Sequence, residues 1–139
     1  MHSDLVRAPI GKPEWLPAYR ILTFVTAISV LVQAILASQW LFKGEANLLD
    51  LHEVIANVFF LVVVLQTVMT ILMRFPGAWG RQLLLANGML VLLTLAQTGL
   101  GYSGRESADA KAWHVPLGVL LFGMAIAISS LALRPAERD

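Results

Sequence analysis

The side chains best suited to chemistry in this 139-residue sequence are two histidines, His52 and His114. A neutral imidazole offers one nitrogen lone pair, and two imidazoles can fill both axial positions of a haem iron. Each histidine has a small residue four positions on, Ala56 and Gly118, and a phenylalanine after eight, Phe60 and Phe122. Residues i and i+4 share a helix face, so Ala56 and Gly118 are expected to leave open space beneath each ring for a flat cofactor. Two glutamines stand in stretches that also resemble each other, Gln33-Ala-Ile-Leu-Ala37 and Gln97-Thr-Gly-Leu-Gly101. The offsets, 62 for the histidines and 64 for the glutamines, fit two helical hairpins related by a two-fold axis along a membrane normal. Asp50 and Glu53 flank His52, so with His114 they make a second candidate set, a mixed nitrogen and oxygen site for zinc or copper.

The elements that must position these residues are plain from composition. Hydrophobic residues make up 58% of the chain and charged residues only 14%, against about 25% charged in ordinary soluble proteins. A soluble domain this small leaves too much of itself at the surface to hide that much apolar area. Four charge-free apolar runs cover residues 21–42, 54–73, 82–102 and 112–133. Each matches the roughly 20 residues a helix needs to cross about 30 Å of hydrocarbon. In lipid a single segment must satisfy its own backbone hydrogen bonds, so the runs read as helices. Connections of about 11, 8 and 9 residues make consecutive helices antiparallel neighbours. The expected fold is all-α, an integral membrane up-down-up-down four-helix bundle. Residues 1–20 read as a polar tail with an interfacial segment at Trp15 and Tyr19, and 134–139 as a second tail. In a square bundle with sides of about 8 to 10 Å, the second and fourth helices face each other diagonally. Their inward imidazoles can then share one iron.

Charge sets orientation and removes other functions. Arg7, Lys12, Arg20, Arg74, Arg81, Arg134 and Arg138 lie at one side; Lys43, Arg105 and Lys111 lie at the other. The richer side is cytoplasmic by the positive-inside rule, which predicts a cell-membrane protein with both termini inside. A net charge of +1 with no basic tract disfavours nucleic acid as a partner. The sequence has no cysteine, which excludes disulfides, thiolate metal sites and covalent c-type haem. No Lys, Asp or Glu lies in mid-membrane, against a proton relay or an ion pathway. Asn57, Gln66, Asn87 and Gln97, with Thr67, Thr70 and Thr94, are expected to hydrogen-bond between helices.

Leu95-Ala-Gln97-Thr-Gly-Leu-Gly101-Tyr, followed by His114-Val-Pro-Leu-Gly118-Val-Leu-Leu-Phe122, resembles a hairpin of the haem A synthase family. The hairpin from Gln33 to Phe60 resembles it more loosely. The resemblance implies a four-helix unit with a histidine pair at its outer side, and His52 and His114 as ligands of one b-type haem. Gln33, Gln97, Gly101, Ala56 and Gly118 would line that haem. The family's glutamate before the second-helix histidine is replaced by Leu49, with Asp50 nearer and Glu53 following in place of an arginine. The outer-loop cysteine pair of many members is missing. The resemblance therefore carries haem ligation further than catalysis. Three readings follow: a membrane b-type cytochrome for electron transfer or haem handling, a compact haem A synthase-like oxidoreductase, and a structural transmembrane subunit of a respiratory or photosynthetic complex. The partners expected are the bilayer, haem, and a homodimer mate or larger membrane complex.

Overall fold

The computed structural model describes residues 13–134. After one 3-10 turn, Pro13–Trp15, come four helices: α1 (Leu16–Lys43), α2 (Ala46–Met73), α3 (Gly77–Ser103) and α4 (Ala108–Ala132). The chain is an all-α, multi-pass membrane protein, and each helix is long and apolar enough to cross a bilayer. The tail residues 1–12, with His2, Arg7 and Lys12, and 135–139, with Arg138, lie outside the described residues.

The helices outrun the apolar stretches that mark them in the sequence. Only residues 44–45, 74–76 and 104–107 remain as connections. The apolar runs stop at the first charge, whereas a helix continues through charged ends whose long side chains reach back to water. Thus Arg20, Asp50, Glu53, Arg81 and Lys111 are all helical. The segment from Leu16 to Arg20, assigned above to the tail, is the first turn of α1; Pro17 lies near its start, where a missing N–H costs little. Local chemistry sets the other ends. Gly44 takes a left-handed conformation (φ 72°) and donates its N–H to the Trp40 carbonyl at 2.8 Å, a glycine C-cap. Ser107 caps α4 by accepting the Ala110 N–H at 3.2 Å. At the α2–α3 turn a Cβ on Gly80 would stand 1.9 Å from the Phe75 carbonyl oxygen, so only glycine fits there.

α1 packs against α2 and α4, and α3 packs against the same two. The result is a square in which α2 and α4 are diagonal. The weak repeat in the sequence becomes a repeat in burial. Buried Tyr19, Thr23, Thr26 and Val30 of α1 match buried Leu83, Asn87, Leu90 and Thr94 of α3 at an offset of 64. Buried Phe59, Val63, Gln66 and Thr70 of α2 match Leu121, Ala125, Ile128 and Ala132 of α4 at an offset of 62. The two hairpins therefore bury the same faces.

Packing is uneven along the bundle axis. At the end holding the α2–α3 turn, Phe75 packs against Tyr19 and Trp79, with ring centroids 5.4 and 4.7 Å apart. A polar chain runs through that core. The Thr26 hydroxyl donates to Gln66 Oε1 (2.6 Å), Gln66 Nε2 to Asn87 Oδ1 (2.7 Å), and Asn87 Nδ2 to the Tyr19 hydroxyl (2.8 Å). Tyr19, expected at the interface, is fully buried because its hydroxyl ends this chain. Toward the other end the interior loosens. No residue of α2 before Phe59, and none of α4 before Leu121, is buried.

Candidate functional site

The loosely packed end holds both histidines. Each is the seventh residue of its helix, His52 in α2 and His114 in α4, about 9 Å along the axis at 1.5 Å per residue. The apolar runs had left His52 outside the second helix; the extra turns at its start carry the imidazole inward. Across the diagonal, the two ring centroids lie 6.3 Å apart with planes at 67°.

Each ring is anchored by the glutamine of the preceding helix. His52 Nδ1 lies 3.1 Å from the Gln33 backbone carbonyl oxygen, and His114 Nδ1 lies 3.1 Å from that of Gln97. A carbonyl oxygen only accepts, so Nδ1 carries the proton in both rings. In a neutral ring the lone pair is then on Nε2. This is the tautomer of metal-ligating histidines, which commonly donate their other N–H to a carbonyl or carboxylate.

The glutamine side chains differ in what they reach. Gln33, 9% exposed, donates from Nε2 to the His52 backbone carbonyl at 3.0 Å. Gln97 places its Nε2 3.1 Å from His114 Nε2, donating onto the lone pair. Both amide oxygens, Gln33 Oε1 and Gln97 Oε1, are buried with no hydrogen-bond partner. The same atom is thus left unspent on each hairpin.

The small residues have definite neighbours. A Cβ on Gly101 would stand 3.2 Å from His114 Cε1, so Gly101 lies against the imidazole. A Cβ on Gly118 would stand 3.1 Å from Gln97 Nε2. The space expected beneath His114 is therefore taken by the Gln97 amide. Ala56, one turn beyond His52, is half-buried. Gln33 and Gln97 pair by position in the sequence, but nothing there shows that their backbone carbonyls hold the rings. Only the helix register reveals that.

Among the described residues no three His, Asp or Glu side chains gather as a metal site, so the mixed zinc or copper set is not assembled. Glu53 turns instead to Arg105, forming an ion pair across to the α3–α4 connection. Beside it, the Tyr102 hydroxyl donates to Asn57 Oδ1 at 3.2 Å, and the Arg105 guanidinium lies 4.9 Å from the Tyr102 ring centre. This exposed cluster ties α2 to α3. No protein-family model matches the chain, and neither does any curated protein or solved structure.

Proposed function

We propose that this membrane protein holds one b-type haem per chain between His52 and His114, serving electron transfer or haem handling. The observation that carries the reading is the matched pair of imidazoles on diagonal helices. Both have Nδ1 tied to a carbonyl, and their ring centres are 6.3 Å apart. The donor set can hold the group: two neutral imidazoles stand in a loosely packed interior, and the Gln97 amide would release the one lone pair it occupies. A bound haem would supply a one-electron couple.

The chain's own residues would do the holding. The Gln33 and Gln97 carbonyls orient the rings and keep Nδ1 protonated. Phe59 and Leu121, seven positions beyond the histidines and both buried, close the interior beneath them. Held by both His52 and His114, a haem would have no place for oxygen chemistry at its iron, and Glu53 is engaged with Arg105. The haem A synthase-like oxidoreductase therefore ranks below the cytochrome. One observation favours a purely structural subunit. Gln33 and His52 exchange two hydrogen bonds, a clasp that fastens α1 to α2 with no cofactor.

Titrating the purified protein in detergent with haem separates these readings. The cytochrome reading predicts saturation near one haem per chain with a low-spin, six-coordinate spectrum. Absence of a saturable spectral change favours the structural subunit. For orientation we propose the cell membrane with both termini cytoplasmic, from the Lys and Arg asymmetry. An impermeant thiol reagent added outside should label Ser103→Cys and spare Ser3→Cys; the opposite pattern reverses the topology.

A further inference from the structure

The repeat exposes a difference between its halves. Gln33 and Gln97 occupy matched positions, and their backbone carbonyls do the same work. Their side chains do not. Gln97 engages the Nε2 lone pair of His114, whereas Gln33 bonds the His52 backbone and leaves His52 Nε2 without a hydrogen bond among the described residues. The residue one turn past each histidine also differs, Gly118 against Ala56. A Cβ at Gly118 would crowd Gln97 Nε2 at 3.1 Å; the matched position on the other hairpin carries that Cβ.

We infer that Gln97 is a latch on His114, admitted by the missing side chain of Gly118, which leaves His52 free to ligate and holds His114 back until the amide releases it. The inference rests on the haem reading above for its consequence, though the latch itself belongs to the cofactor-free protein. In that protein the amide N–H occupies the lone pair that a metal would need. For His114 to ligate, Gln97 would give up that one hydrogen bond, with no proton moved, since Nδ1 stays protonated on the Gln97 carbonyl. The two ligands are then unequal. His52 accepts first, and His114 is the exchangeable one. Gln97 acts through His114 and is a positioning residue.

The test has one arm without haem and one with it. In cofactor-free protein labelled with 15N-histidine, Nε2 of His114 should show the nitrogen shift of a hydrogen-bonded acceptor, and that of His52 should not. Gly118→Ala should move the His114 signal toward that of His52, and Ala56→Gly should leave His114 unchanged. In the second arm, haem titration of Gln97→Ala should give about fivefold tighter binding, roughly the factor of one net hydrogen bond. A merely structural glutamine would weaken binding instead. Gly118→Ala serves as the second variant should Gln97→Ala fail to fold. Indistinguishable Nε2 signals for the two histidines in the unliganded wild type would overturn the latch. So would unchanged or weaker haem binding in Gln97→Ala. Failure of the wild type to bind haem, with the His114 signal behaving as stated, overturns the haem reading and leaves the latch standing.

Discussion

The two ends of the bundle treat buried polar groups in opposite ways. Near the α2–α3 turn, Thr26, Gln66, Asn87 and Tyr19 hand hydrogen bonds along a chain that ends with every member partnered. At the histidine end, Gln33 and Gln97 each keep a buried amide oxygen with no hydrogen-bond partner among the described residues. Unsatisfied polar groups away from water are costly and are worth explaining wherever they occur. A closed network specifies how helices pack. The open one sits at matched positions on the two hairpins, around the two imidazoles, where we propose that the haem is held. The closed network and the unpaired amide oxygens lie at opposite ends of the bundle axis.

Asn87→Leu should break the closed end. It removes the acceptor of the Gln66 amide and the donor to Tyr19. The expected cost is about 2 kcal/mol, since stranded buried groups cost about 1–3 kcal/mol and interhelical bonds in membranes average about 0.6 kcal/mol. Thermal unfolding in detergent should show this loss equally with and without haem. Gln97→Ala, at the open end, should cost less than half as much. A reversed order would mean that the histidine end supplies the stability.

A smaller effect sharpens the open end. Gly118 lies against the Gln97 amide, whereas nothing stands within 4 Å of where a Gly123 Cβ would be. Gly118→Leu should lower haem occupancy several-fold while the protein still inserts, because a side chain this large takes up more interior space than the displaced Gln97 amide vacates. Gly123→Leu should change stability and occupancy little, within the ±0.5 kcal/mol usual for uncrowded sites. Haem-to-protein ratios of the two purified variants check this directly. Equal ratios would make Gly118 a packing residue.

Much of this organisation is legible in the sequence. Four uncharged runs and their short connections give the bundle, because lipid admits few alternatives. Spacing places His52 with Ala56 and His114 with Gly118 on inward faces and on diagonal helices. Helix ends are less legible, since charge marks where the hydrocarbon stops and not where hydrogen bonding does. That is why Tyr19 reads as interfacial and His52 as lying ahead of its helix, when one is buried and the other a turn and a half inside. The buried series Tyr19, Thr23, Thr26, Val30 and Gln33, spaced by three and four, is a signal that extends the first helix backward. What spacing cannot supply is the partner of each polar atom. Gln97 reaches the ring of His114 while Gln33 reaches the backbone of His52, a difference between matched positions that spacing does not contain. Likewise, nothing in the spacing pairs Glu53 with Arg105 of the α3–α4 connection.

The most direct test compares the oxidised and reduced absorption spectra of the purified wild type with those of His52→Ala and His114→Ala. The wild type should carry one b-type haem per chain in a six-coordinate, low-spin state. Each variant should lose the haem or turn it high-spin, since either change removes one of two axial nitrogens. His2→Ala, beyond the described residues, should match the wild type. Identical spectra for all four proteins would contradict ligation by His52 and His114, and with it the account of the open end.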